Sequence, residues 1–402
     1  MIVREPTEME VERAAEVASE AFGISIEQTG DVFGRIADVF GRRFILVAEM
    51  DGRLVSSLIC WPGPIYVGEG RVTHAAVGYV GTLPECRKTG YAGALMTECA
   101  RLLRREGLFT SSLWPFSYPY YRRFGWELGS HVWTCIARSE VWTSLADAGQ
   151  ARWAAEDDLG GVKAVYNAHA PAYNCMTQRS DEWWERILKM RGFLGPPGES
   201  GIGCAVHVAD GIVDGYAAFE VKTTEEGALM QVKEAFAQAP EHRRQMLALI
   251  ATANPEGRVA HDAPPDDTIL HEVPDPWSLS VKLRPSFQFR VVDPPRAMES
   301  LVADGASCGR LSFAISDPVF EEGFEFGVEF DGGRASLCPF DACSAIETDV
   351  QTLAKLYSGY LSPRDALKLE RIRVRGSEER VLELAQRVFA TGTPYRSWME
   401  PG

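Results

Sequence analysis

Apolar positions along the chain switch between helical and alternating spacing, and the switches divide it into three blocks. Across residues 7–22 apolar side chains recur at helical spacing. The stretch RRFILVAEMDGRLVSSLICWP then reads as an apolar strand, an Asp51-Gly52 turn and a second strand, which together make a hairpin. In VGTLPECRKTGYAGALM, apolar residues lead into Pro84, two basic residues follow, and small residues open a helix-like pattern. The aromatic stretch LFTSSLWPFSYPYYRRFGW closes the first block.

The second block repeats this order. Residues 158–190 read as helical and end in RSDEWWERILKM, with Trp183 and Trp184 taken as helix core and helix surface. GCAVHVADGIVDGYAAFEVK is again strand, Asp210-Gly211, strand, and VKEAFAQAPEHRRQMLALIA is again apolar residues, a proline and a helix. Laid on the first copy, Pro240 and Glu241 fall on Pro84 and Glu85, and Arg243 on Arg87, but Met246 falls on Gly90. An internal duplication whose second copy has lost its glycine explains the match; chance similarity of two α/β segments is the alternative. The third block starts near SFQFRVVDPPRAMESL, carries alternating strands such as FEFGVEFDGGRASLCP, and ends in helices such as residues 378–390. With no low-complexity linker between blocks, tight packing is expected.

Composition narrows the function classes. A chain of 402 residues is too long for one core. No apolar run approaches the roughly 18 residues of a membrane span. The N-terminal MIVREPTEMEVERAAEVA turns acidic too early for a signal peptide. Nine cysteines without a CxxC pair point to reduced, mostly buried thiols in a cytoplasmic protein. A net charge of -15 disfavours nucleic acid, whose phosphates need clustered Lys and Arg, and leans toward cationic ligands. The histidines, His261 and His271 among them, lack metal-ligand spacing, so no metal site is expected.

The chemistry concentrates where the strand gives way to small residues. The first turn of a helix exposes unpaired backbone N–H groups and the positive end of its dipole, and small residues let a phosphate approach them. Arg87, Gly90 and Ala92 fit the spacing Arg/Gln-x-x-Gly-x-Gly/Ala, after a strand holding Val80 and Thr82. The Rossmann and P-loop patterns are absent. This segment resembles the acetyl-coenzyme A signature of the GNAT acetyltransferases. With YPYYRRFGW and the degenerate second copy, the whole chain resembles the Eis (enhanced intracellular survival) branch of that superfamily.

The resemblance implies an α+β fold: two tandem GNAT-like mixed α/β domains, residues 1–140 and a degenerate 141–286, then a sterol-carrier-protein-like α+β domain, residues 287–402. It implies an acetyl-CoA-dependent N-acetyltransferase for amines of polycationic, aminoglycoside-like molecules or lysine. It further implies a cytoplasmic homohexamer using no metal, no nucleic acid and no membrane. The pantetheine would lie along Val80, Gly81 and Thr82, and the pyrophosphate on Arg87, Lys88, Thr89, Gly90, Tyr91, Ala92 and Gly93. Phe116 and Ser117 would add a cofactor contact. Tyr121 falls on the family's catalytic tyrosine, a general acid for the leaving thiolate, and the family's basic C-terminal carboxylate falls on Gly402. The family commonly ends Glu-Phe; here Glu400 matches and Pro401-Gly402 follows.

Blander readings stand beside these. Tyr120 and Tyr121 also fit strand aromatics, Arg122 and Arg123 a solvated turn, and His74 either a base or a packed strand histidine. Phe22, Phe33 and Phe40 could offer a cleft cation–π contacts or simply fill the core. The rival class is a lipid carrier or regulatory binding protein with a vestigial GNAT fold.

Overall fold

The computed structural model describes residues 1–185, 193–197 and 201–400, so the end of RSDEWWERILKM and Gly402 lie outside the described residues. The chain forms two compact units: residues 1–129 with 287–392, and residues 130–286 with 393–400.

In the first unit the hairpin forms as strands Ile45–Met50 and Arg53–Pro62. Asp51 and Gly52 take φ of 51° and 80°, the paired left-handed conformation that a two-residue hairpin turn requires. They lie in a seven-stranded sheet ordered Ile2–Arg4, Ile45–Met50, Arg53–Pro62, His74–Thr82, Thr110–Leu113, Gln288–Val291, Glu127–Leu128. Helices Val11–Phe22 and Tyr91–Arg105 bury apolar stripes, Ala14, Ala15, Val17 and Ala18 on one and Leu95, Met96, Leu102 and Leu103 on the other.

Two irregularities in this sheet shape the site. Ser57 opposes Gly81 while Ile59 opposes Gly78, so the strand His74–Thr82 carries an extra residue near Tyr79, whose φ is 54°. Such a bulge bends its strand. The same strand pairs in parallel with Thr110–Leu113 only at residues 74–76, and beyond that the two strands diverge. The second irregularity concerns SFQFRVVD, read from sequence as the opening of the third block. Its strand Gln288–Val291 inserts into the first sheet, antiparallel to both Thr110–Leu113 and Glu127–Leu128. The remainder of the third block builds a five-stranded sheet whose central strand, Gly309–Ser316, lies between Phe324–Asp331 and Ala345–Asp349.

The second unit repeats the plan. Strands Ile202–Ala209 and Ile212–Thr224 meet at Asp210 and Gly211, with φ of 51° and 78°. Ala218 opposes Glu234 and Phe219 opposes Val232, so Lys233 is the bulged residue of this copy. Helix Pro240–Thr252 follows, burying Met246, Leu247 and Ile250. Residues 158–190 are not one helix. Leu159–His169 gives way to a turn at Ala170–Ala172, because Pro171 cannot donate the next helical bond, and strand Tyr173–Asn174 then pairs with Thr393–Pro394. Trp183 and Trp184 are both buried, against the expectation that one faces solvent.

Candidate active site

Where the strand His74–Thr82 diverges, a cavity of about 810 Å³ opens. Val80, Gly81 and Thr82 form one wall, and Arg87, Lys88, Gly90, Tyr91, Ala92 and Gly93 form the end. Gly90 caps helix Tyr91–Arg105 with φ of 97°. The first intrahelical bond there is Ala94 N–H to Gly90 O, 3.0 Å, so the amides of residues 91–93 precede it at the positive end of the dipole. A Cβ on Gly90 would meet no protein atom within 4 Å; it would stand in the cavity itself. Arg87 braces the loop, donating to Ala21 O at 3.0 Å and Thr82 O at 3.4 Å. The charged wall residues, Arg87, Lys88 and Arg123, are all cationic, so the cavity suits an anion with an extended apolar stem.

Phe116, Tyr120, Arg123 and Phe124 also line the cavity, with Phe124 against Gly93. YPYYR is the short helix Tyr118–Arg122 rather than a strand, and helical spacing puts Tyr120, Arg123 and Phe124 on one face. Tyr121 packs behind two of these lining residues: it is 3% exposed and lies edge-on to Phe116 and Tyr120, with centroids 5.3 and 5.1 Å away. Burial, and next Tyr120, push its hydroxyl above the ordinary tyrosine range. Of the residues singled out from sequence, Thr89, Ser117 and Tyr121 are not on the wall; Thr89 donates to Cys86 O and Ser117 caps the short helix. Ala21, Tyr120 and Arg123 are wall residues that sequence reasoning missed, and helical spacing across PYYRRF is the signal that finds the last two. Phe22 also lines the cavity, whereas Phe33 is fully buried. His74 is packed between strands, 3.1 Å from Thr110 Oγ1 and 2.9 Å from Ser112 Oγ.

The second copy lacks the loop: helix Pro240–Thr252 follows strand Gly227–Ala237 after two residues, where residues 83–90 intervene in the first copy. Arg243, laid on Arg87 by the sequence, sits inside that helix and is locked to Asp267 at 2.6 Å and Glu272 at 2.5 Å, and Met246 is wholly buried. The described tail ends nearby in the same unit. Glu400, 3% exposed, accepts from Arg179 at 2.8 Å and Tyr166 at 3.0 Å, and Arg179 also pairs with Glu234 at 2.6 Å. A carboxylate so engaged is no free base. One group could tempt a metal assignment: His207, Asp214 and His242 bring ligand atoms within 4.8 Å of one another. The two imidazoles, however, stack 3.9 Å apart at 7°, and parallel rings cannot both aim in-plane lone pairs at one ion.

Residues 2–129 and residues 175–291 each match the family described as acetyltransferase (GNAT) domain. The chain belongs to the GNAT N-acetyltransferases. Residues 294–397 of this acetyltransferase match the sterol carrier protein domain, completing the α+β plan of two GNAT domains and a third block. Two relatives from Streptomyces avermitilis, each described as an uncharacterized N-acetyltransferase, are similar. One is 27% identical over 67% of this chain and 70% of its own. The other is 23% identical over 86% and 85%. The fold is that of a GCN5-related N-acetyltransferase from Anabaena variabilis, with TM-score 0.83, 16% identity and 98% of each chain covered. Eis1 from Mycobacterium abscessus shares it over 100% of each chain, with TM-score 0.75 and 20% identity. The order of two GNAT domains and a sterol carrier protein domain, and a fold shared with Eis1 over the full length, agree with the resemblance to the Eis branch. The rival reading of a carrier with a vestigial fold gives way to an enzyme. No described helix is long and apolar enough to cross a membrane.

Proposed function

We propose that the acetyltransferase takes acetyl-CoA in the cavity beside Gly90 and passes the acetyl group to a primary amine of a polycationic small molecule or of lysine. The observation that supports this most is the meeting of an open helix N-terminus and a left-handed Gly90 at one end of a cavity of about 810 Å³ whose charged lining residues are three cations. Acetyl-CoA supplies an activated thioester. The chain's part is to bind and orient it: amides of residues 91–93 and the side chains of Arg87 and Lys88 hold the pyrophosphate, and backbone groups of Val80, Gly81 and Thr82 hold the stem. Thr89 shapes the loop, and Phe116, next to Ser117, borders the cavity.

Tyr121 is the general acid in this reading. Its hydroxyl is protonated at neutral pH and so can give a proton to the departing sulfur, although burial, by raising its pKa, makes it a weaker donor than an ordinary tyrosine. Backbone N–H groups near Val80 would stabilise the negative charge that develops on the acetyl oxygen. His74 and Glu400, two other groups considered for the base, are tied into hydrogen bonds and an ion pair. We extend the proposal to cytoplasmic placement and homohexameric assembly; the boundaries at residues 140 and 286 divide the blocks of sequence, whereas the compact units change over after residues 129, 286 and 392.

The test is a panel of polyamines, aminoglycosides, lysine peptides and neutral amines with thiol release as the readout, repeated with Tyr121→Phe. Thiol release with cationic amines is expected, and the variant should lose roughly 10²- to 10⁴-fold in turnover with little change in CoA affinity. Full turnover in Tyr121→Phe with chemistry rate-limiting would remove the acid assignment. Preference for neutral amines would remove the substrate class.

A further inference from the structure

We propose that Arg290 and Gln288 are positioning residues for the transfer reaction, acting through Tyr121. Both lie on the inserted strand Gln288–Val291, two positions apart and so on one face, and both are fully buried. Between them they hold the segment that carries the tyrosine pair. Gln288 Nε2 donates to Tyr118 O at 3.3 Å and to Trp126 O at 3.1 Å, one near each end of that segment. Arg290 Nη1 donates to Phe124 O between them. Gln351, from the third block, donates to Arg122 O at 3.1 Å.

Arg290 is itself fixed. Its Nη2 donates to both oxygens of Asp317, at 3.0 and 2.8 Å, and Asp317 also accepts from the amides of Val319 and Phe320 at 2.8 and 3.2 Å. The guanidinium lies 5.3 Å from the Trp126 ring centroid. Gly125 takes φ of 89°, and a Cβ there would run into the guanidinium, so the turn closes directly over it. Breaking a buried pair is costly, but the intact pair adds little net stability over apolar packing of the same volume. What the pair contributes is geometry. A fork shared between Asp317 and Phe124 O fixes where residues 118–126 sit, and displacing a reacting group by about 1 Å costs on the order of 10²-fold in rate.

The inference rests on the reading of Tyr121 as the acid, and the experiment separates the two. Arg290→Lys keeps the charge opposite Asp317 but cannot also reach Phe124 O with the same rigid fork. It is made alone and with Tyr121→Phe. Turnover, KM for acetyl-CoA, CoA affinity by calorimetry and thermal unfolding are measured. Arg290→Lys is expected to lower kcat about 10- to 100-fold with CoA affinity unchanged. In the Tyr121→Phe background it should cost nothing further, the non-additivity of residues acting as one unit. Parental kcat in Arg290→Lys, or a loss that multiplies with that of Tyr121→Phe, would overturn the positioning role while leaving the acid in place. Parental kcat in Tyr121→Phe would instead remove the acid, and the positioning role with it. If Arg290→Lys does not fold, Gln288→Leu, which leaves every charge intact, is judged by the same criteria.

Discussion

Gly90 answers to two demands at once, a φ of 97° and an empty volume where its side chain would be. Any L residue there is strained by roughly 1 kcal/mol or more, and a branched one also fills the anion's place. Gly90→Val should therefore weaken CoA binding in a titration, and equal affinity would remove the cradle. Tyr121 sets a pH expectation. Because burial raises its pKa, the acid stays protonated past its ordinary range. The rate should rise from about pH 7 to 9 as the amine loses its proton, and it should not fall by about pH 10, where an ordinary tyrosine would have begun to ionise. The stability linked to this group has the same sign: fully present below about pH 10 and lost as pH climbs toward the raised value. A pH–rate profile falling below pH 9 would contradict this. Arg87 and Gly90 were legible in the sequence because their spacing alone encodes a loop before a helix. The wall residues Tyr120 and Arg123 were not, since YPYYRRF can be read with either period. Only its packing decides which tyrosine faces the cavity.

At the scale of elements, the two copies differ in the connection that would hold the cofactor. Helix Pro240–Thr252 starts two residues after strand Gly227–Ala237, with Ala239 at its cap, where the first copy has the loop 83–90 ending in the Gly90 cap; Met246, laid on Gly90 by the sequence, is inside the helix and buried, and Arg243 is bridged to Asp267 and Glu272. Burial alone would raise the Asp267 pKa, but His261 and Arg243 outweigh it and hold the carboxyl at about 2. The bridge is thus fully formed above about pH 4 and weakens only as pH falls toward 2. Calorimetric titration should saturate at one CoA per chain, and Asp267→Asn should not add a second site, because the two-residue connection before helix Pro240–Thr252 leaves no loop to cradle a pyrophosphate. Saturation at two would contradict the reading. The duplication was legible because each copy repeats local signals: a turn dipeptide, a proline, a helix. The insertion of Gln288–Val291 into the first sheet was not. Strand pairing between distant segments leaves no periodicity in either one.

On the scale of the whole molecule, neither unit is a continuous stretch of chain. The first needs residues 287–392, and the second needs Thr393–Glu400. A fragment of residues 1–140 lacks the strand between Thr110–Leu113 and Glu127–Leu128 and the donors for the tyrosine turn. It should show no cooperative melt by circular dichroism and no CoA binding, and a sharp transition like that of the full chain would refute this. The inserted strand also sets a clock. About 160 residues separate Leu128 from Gln288, and a ribosome adding roughly 5–20 residues per second needs on the order of 10 to 30 seconds to deliver them. Throughout that interval the nascent first sheet has an open slot with unpaired backbone edges. During synthesis, then, the N-terminal half must be shielded by chaperones or wait loosely collapsed, and slow translation of the middle segment should cost yield before it costs activity.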